Sequence, residues 1–149
     1  MPQSLSKILI HLVFSTKNRA NLICPEDGTP LYGYISGILN NRGSPALQIG
    51  GCADHVHVLF MLSRTVTISE TVEEVKKSSS KWMKADRGVS EFQWQSGYGA
   101  FSVSQSAEDD VRKYISSQEE HHKVLSFQEE YRKLLEKYRV PFDEKYVWD

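Results

Sequence analysis

Two histidines separated by one residue, His55 and His57, have the spacing of a metal-binding pair. They lie in the run DHVHVLF at positions 54–60, where alternate residues are apolar. Period-two alternation is typical of a β-strand, so both imidazoles would project from one face of a sheet. Neutral imidazole nitrogens are common ligands of divalent metals. A polar strand face with two solvated or hydrogen-bonded histidines is the alternative, and so short a motif leaves it open.

A second set of polar side chains, Tyr114, Gln118 and His121, lies in a segment predicted to form a helix from 106 to about 123. In such a helix Tyr114 and Gln118 would project about 40° apart around the axis, one turn from each other. His121 would fall about 20° from Tyr114 on its other side. The spacing therefore predicts one polar stripe, although an amphipathic helix with a half-buried tyrosine would show it too.

Together, the two sets could act on a phosphodiester. Gln118 would give a metal at His55 and His57 a third ligand without adding charge, and Mg²⁺ or Mn²⁺ there could polarise the phosphodiester. Tyr114 would then be the nucleophile and form a covalent phosphotyrosine. Such an intermediate conserves bond energy, which suits cutting and rejoining rather than hydrolysis.

Eight elements would position these side chains. Apolar periodicity, caps and glycines predict strands at 5–17, 46–52, 55–62 and 98–104, and helices at 25–41, 67–84, 106–123 and 126–138. The order β-α-β-β-α-β-α-α predicts an α+β fold of the ferredoxin-like or RRM-like kind. In this split βαβ sandwich an antiparallel sheet carries helices on one face, and the extra C-terminal helices carry the tyrosine.

Length and composition set further expectations. The 149 residues should form a single domain over 1–149, and a net charge of −1 does not by itself demand nucleic acid. The two cysteines, Cys24 and Cys52, form no C-x-x-C pair, which argues against a zinc knuckle or a disulfide scaffold. With no signal peptide and no long apolar run, a cytoplasmic protein without a membrane span is expected.

Four segments carry a family resemblance. They are HLVFSTKNR at 11–19, GGCADHVHVLF at 50–60, WQSGYGAFSVS at 94–104 and YISSQEEHHK at 114–123. In this order the chain resembles the single-tyrosine transposases of the HUH (His–hydrophobic–His) nuclease superfamily, the type found in insertion sequences 200 and 605. The pair DHVH and YISSQEEHH at this spacing is the specific part of the likeness.

The resemblance implies a set of roles. His55, His57 and Gln118 would be the metal ligands, and Tyr114 the catalytic nucleophile. Similar proteins cut single-stranded DNA, leave a 5′-phosphotyrosine and a free 3′-OH, and rejoin the strands. They recognise a DNA hairpin and act as homodimers, in which the tyrosine helix of one chain can complete the metal site of the other.

Other polar residues are candidates for supporting roles. Asp54 could orient a ligand histidine or be a turn residue, and His121 could contact DNA or the tyrosine or lie on a surface helix. Seven basic residues are predicted phosphate contacts: Lys17, Arg19, Arg42, Lys76, Lys77, Lys81 and Lys84. A merely solvated basic helix is the alternative for those at 76–84.

Two other functions remain open at this point. A domesticated relative would use the same chemistry on repeated palindromic DNA in the chromosome. A non-catalytic, ferredoxin-like nucleic-acid-binding module would explain the fold and the basic helix, but would leave the histidine pair and the Tyr114 stripe as coincidence.

Overall fold

The computed structural model describes residues 2–149 and contains one four-stranded antiparallel sheet of order β2-β3-β1-β4. The strands are β1 (Leu9–Ser15), β2 (Ala46–Cys52), β3 (His55–Met61) and β4 (Gly99–Val103). β2 and β3 form the predicted hairpin, and a helix joins each of the pairs β1/β2 and β3/β4. The predicted ferredoxin-like α+β fold is therefore confirmed.

Helices α1 (Pro25–Asn41) and α2 (Ile68–Ala85) cover one face of the sheet. Proline at the first position of α1 fits the fixed φ of a helix start, and Thr67 and Glu70 cap α2 reciprocally. The core between these helices and the sheet is apolar and fully buried at residues such as Leu12 and Phe60. Within residues 2–149, no helix is both long enough and apolar enough to cross a membrane.

Three C-terminal helices cover the opposite face: α3 (Glu108–Ser116), α4 (Gln118–His121) and α5 (Phe127–Lys137). α5 packs its apolar side chains on Val13 and Phe101, and α3 places Ile115 on Leu59. The sheet is thus enclosed between two helical layers, so residues that point away from α1 and α2 are also buried.

The prediction of one continuous helix over 106–123 was wrong. Helix α3 begins at Glu108 after a 3-10 turn at Gln105–Ala107, and Ser106 does not cap it. The helix then breaks at Ser117, whose φ of −108° and ψ of 24° are not helical. The Ser117 hydroxyl donates to the Lys113 carbonyl at 2.8 Å, a local bond of the kind that competes with helix continuation.

The close approach of α3 to β2 depends on Gly50. A Cβ atom at this position would overlap the carbonyl oxygen of Ile115, and its next neighbours would also be atoms of Ile115. The missing side chain therefore allows the backbone next to Tyr114 to lie directly on the sheet.

Candidate active site

The sheet face under α3 and α5 carries three buried histidines. His11 lies on β1, and His55 and His57 lie on β3, which pairs with β1. The ring centroids of His55 and His57 are 5.2 Å apart, and those of His11 and His57 are 5.1 Å apart. His55 and His57 therefore project from one face of the sheet, as predicted. That face is covered by helices, so both side chains are buried.

Hydrogen bonds on the far side of each ring orient the histidine pair. Nδ1 of His55 lies 2.7 Å from Oδ1 of Asp54, and Nδ1 of His57 lies 2.8 Å from Nε2 of His11. Because Nδ1 is engaged in both rings, the two Nε2 atoms are the ones directed to the space between sheet and helices. Asp54 and His11 thus fix which nitrogen of each ring faces that space.

Glu130 of α5 lies opposite the pair and was not among the predicted site residues. Its side chain is 1% exposed, and its Oε1 is 3.0 Å from His57 Nε2 and 3.6 Å from His55 Nε2. His122 Nε2 lies 2.9 Å from the same oxygen. Glu130 is three residues after Phe127 and four before Leu134, so a carboxylate within an apolar helical stripe was the signal that could have identified it.

Tyr114 and Gln118 reach the same carboxylate despite the helix break. The Tyr114 hydroxyl donates to Glu130 Oε2, and Gln118 Nε2 donates to that oxygen at 3.0 Å. Gln118 Oε1 lies 3.0 Å from His55 Nε2. The Tyr114 ring also packs edge-to-face with that of His57 in the same chain, with ring centroids 5.7 Å apart and an interplanar angle of 80°. Both predicted sets of residues therefore meet within one chain.

Burial sets the charge states of this cluster. It lowers the pKa of His57 to about 4 and that of His11 to about 3, where the neighbouring His57 contributes as well, so both rings are neutral near pH 7. Burial opposes ionisation of Glu130, but hydrogen bonds from His122 and His57 outweigh it and hold its pKa well below the ordinary value. Burial and the adjacent Glu130 raise the pKa of Tyr114 well above its usual range. The cluster thus combines neutral imidazoles, one anionic carboxylate and a protonated phenol.

The two neighbouring histidines of the 117–126 segment contact the cluster differently. His121 packs its ring 4.7 Å from that of Tyr114, and its Nε2 is 3.3 Å from the Ser117 hydroxyl. His122 binds Glu130, whose charge and hydrogen bond raise the pKa of His122 although burial lowers it. Of the two contacts predicted for His121, DNA or the tyrosine, the structure displays the tyrosine.

The predicted phosphate contacts lie in three places. Lys77, Lys81 and Lys84 are exposed on α2, which covers the sheet face opposite the histidines. Lys17 and Arg19 follow β1, and Arg42 follows α1. Lys76 differs from the others, because its ammonium donates to the carbonyls of residues 95–97 and burial lowers its pKa to about 8. Its contact with a phosphate stays a prediction.

Comparison with known proteins gives a family and several structural neighbours, among them the following two. The solved structure of a candidate transposase from Deinococcus radiodurans R1 is 21% identical with a TM-score of 0.62, over 77% of this chain and 95% of that one. A REP-associated tyrosine transposase bound to a REP hairpin is 15% identical with a TM-score of 0.56, over 77% of this chain and 68% of that one. These identities support the fold alone.

No curated protein sequence matches the chain. The family model described as "Transposase IS200 like" matches residues 4–118, which include the histidine pair, Tyr114 and Gln118. The resemblance noted in the sequence is thereby confirmed, and the chain belongs to the IS200-like transposase family.

Proposed function

We propose that this chain cleaves and rejoins single-stranded DNA, with Tyr114 as the nucleophile beside a divalent metal held by His55, His57 and Glu130. The observation that carries the proposal is the convergence of the Tyr114 hydroxyl and the Nε2 atoms of both histidines on the carboxylate of Glu130.

The donor set fits a metal of this kind. The nitrogen and oxygen atoms that His55, His57 and Glu130 offer all lie within 4.8 Å of one another. If His55 carries its proton on Nδ1, facing Asp54, its Nε2 and the oxygen of Gln118 present lone pairs to each other across 3.0 Å. A cation relieves such a contact, which supports Gln118 as a fourth ligand. The carboxylate and amide oxygens suit Mn²⁺ or Mg²⁺, and a metal held by them and the two imidazoles would act as a Lewis acid on the phosphodiester.

The protein groups account for the nucleophilic step. The Tyr114 oxygen attacks phosphorus, and its proton passes to Glu130 Oε2, the acceptor of its hydrogen bond. A new bond joins the tyrosine oxygen to phosphorus, the bond to the 3′ oxygen breaks, and the departing 3′ oxygen takes up a proton from solvent. The products are a 5′-phosphotyrosine and a free 3′-OH, and attack by a 3′-OH on the phosphotyrosine reverses the step and joins the strands.

A single chain brings all of these groups together, which supports assembly of the site in cis. A homodimer in which the tyrosine helix is exchanged remains an alternative arrangement of the same residues. DNA hairpin recognition is part of the proposal, with the exposed basic residues Lys77, Lys81 and Lys84 as phosphate contacts.

A second candidate is a domesticated protein acting on repeated chromosomal palindromes. The observation in its favour is the similarity of fold to the REP-associated tyrosine transposase solved with its hairpin. Both candidates share the Tyr114 chemistry, and they differ in the DNA that is bound.

The test is a covalent adduct assay. The protein is incubated with Mn²⁺ or Mg²⁺ and labelled single-stranded DNA carrying a hairpin, and run on a denaturing gel. We expect a shifted protein–DNA band that is lost with chelator and in Tyr114→Phe. Equal behaviour of wild type and Tyr114→Phe would contradict the proposal and leave the non-catalytic binding module.

Mixing two inactive variants distinguishes cis from trans assembly. A mixture of Tyr114→Phe with His57→Ala should form no adduct if each chain uses its own tyrosine. Recovery of a substantial fraction of the wild-type yield would instead place the tyrosine in trans.

A further inference from the structure

A cavity of about 230 Å³ opens beside the tyrosine, and two larger cavities are lined by His122 and by Gln118. Its wall consists of Tyr114, Leu125, Glu130, Lys133, Leu134 and Lys137. The histidines and Gln118 are almost fully buried, whereas Tyr114 is only partly buried. A ligand in this cavity therefore approaches the proposed nucleophile and Glu130, whereas the two imidazole ligands and Gln118 do not line the cavity.

Two lysines give the cavity its charge. Lys133 and Lys137 follow Glu130 by three and seven residues on α5, so all three project within about 60° around the helix axis. Both lysines are exposed, and the ion pairs among residues 2–149 are formed by other side chains. Lys137 is close enough to the site for its charge to act on buried His11. Two lysines that form no ion pair among the described residues thus line the same cavity as Tyr114 and Glu130, and the Lys137 ammonium lies 5.5 Å from the centroid of the Tyr138 ring.

We propose that Lys133 and Lys137 form a phosphate site that guides single-stranded DNA to Tyr114, so that the strand enters along α5. The occupant is a backbone phosphodiester of the strand to be cut, because the cavity has apolar walls from Leu125 and Leu134 and two cationic edges. The lysines also offset the repulsion between that phosphate and Glu130. This inference rests on the proposed role of Tyr114.

The first test measures DNA binding without cutting. In a Tyr114→Phe background with chelator, Lys133→Gln/Lys137→Gln is compared with Lys145→Gln, an exposed control on the C-terminal segment. The probe is a short fluorescein-labelled single strand without a hairpin, titrated at several salt concentrations. Loss of two phosphate contacts should reduce the slope of log K against log salt by about 1.4, because each contact contributes about 0.7 on single strands. Equal slopes for the double variant and Lys145→Gln would overturn the inference.

The second test places the lysines on the path to the tyrosine. In single-turnover adduct formation by the protein with an intact Tyr114, the double variant should raise the half-saturating DNA concentration by about tenfold, equivalent to about 1.4 kcal/mol. The maximal rate should stay near that of the wild type. A lysine pair that only stabilises the end of α5 would lower thermal stability and leave both DNA measurements unchanged, which also overturns the inference. Absence of any adduct in the wild type would refute the proposed function instead, while the binding slopes still decide the phosphate site.

Discussion

The two faces of the sheet are built from alternate residues of the same strands, yet one buries apolar side chains and the other also buries a polar cluster. Towards α1 and α2 the buried side chains of β3 are Val56, Val58 and Phe60. Towards α3 and α5 they include His55 and His57, which meet the buried carboxylate of Glu130. Burial of apolar groups stabilises a fold, whereas burial of polar groups and charges costs free energy unless they are paired.

On the face that carries the histidines, hydrogen bonds among the buried polar groups offset this cost. Within residues 2–149, every buried side-chain nitrogen and oxygen has a hydrogen-bond partner. A face built only for stability would be simpler with apolar residues, since replacement of buried ionic groups by well-packed apolar ones is often neutral or stabilising. Both faces carry apolar contacts, but the face towards α3 and α5 adds the polar cluster. We expect that cluster to serve the proposed chemistry and the face towards α1 and α2 to serve stability alone, and the predictions below test that division.

The largest effect is expected from His57→Ala on the polar face. Adduct formation should fall below detection, because one of the two imidazole ligands is lost. Much of the hairpin affinity should remain, since phosphate contacts away from the site carry most of the binding. The measurements are the denaturing-gel assay and fluorescence anisotropy with the hairpin. Loss of folding in this variant, seen by circular dichroism, would give the histidine a structural role instead.

The matched change on the apolar face is Phe60→Ala, three residues along the same strand. We expect the free energy of unfolding to fall by about 3–5 kcal/mol, because a fully buried aromatic ring leaves a cavity. Protein that stays folded at low temperature should still form the adduct. Chemical denaturation measures the first effect, and an adduct yield per folded molecule far below wild type would contradict the division between faces.

A smaller effect is expected from Glu130→Gln, which keeps the shape of the side chain and removes its charge. Mn²⁺ affinity should fall by at least about tenfold, as measured by calorimetric titration, because an anionic ligand becomes a neutral one. Glu136→Gln, also on α5 but exposed, is the control and should bind Mn²⁺ like the wild type. Equal affinities for all three proteins would remove Glu130 from the proposed metal site.

The smallest effect concerns pH and the buried His11. Its pKa is lowered to about 3 by burial and by His57, from about 6.5 in the unfolded chain. Between these values the unfolded chain binds more protons, so acidification favours unfolding and stability falls as pH drops below about 6.5. For His11 alone the loss at pH 5 is on the order of 2 kcal/mol.

The variant His11→Phe isolates this contribution. Thermal unfolding in chelator at pH 7 and pH 5 should give a smaller pH difference for the variant than for the wild type. His57 and Glu130 continue to titrate in both proteins, so the variant should retain part of the acid sensitivity. An identical pH difference in the two proteins would show that His11 is not held neutral by its surroundings.

Much of the fold could be predicted from the sequence because local signals were strong. Alternation over 54–60 identified β3 and the face shared by His55 and His57, and Pro25 and Thr67 lie at the starts of α1 and α2. The break at Ser117 was missed because helical spacing alone continues through it, whereas a side-chain bond to the Lys113 carbonyl competes there.

Only some residues of the candidate cluster could be predicted from the sequence, for a physical reason. Strand periodicity proposed His55 and His57, and helical spacing proposed Tyr114 and Gln118. Glu130 joins the cluster across 73 residues from His57, and such a contact is set by how α5 packs on the sheet. The one sequence signal for Glu130 was its position between Phe127 and Leu134 in the apolar stripe of α5. The surroundings of Lys76 could not be predicted for the same reason, since the sequence shows its charge but not the carbonyls that its ammonium contacts.

Gly50 has a consequence for how this protein can change. A methyl group there would push the carbonyl of Ile115 outward, and Tyr114, one residue earlier, would move with it. The distance between Tyr114 and the imidazoles therefore depends on the absence of a side chain at position 50. Position 50 lies on β2, a strand that supplies none of the proposed reactive groups. We therefore expect a substitution at position 50 to abolish adduct formation although every proposed reactive side chain is still present.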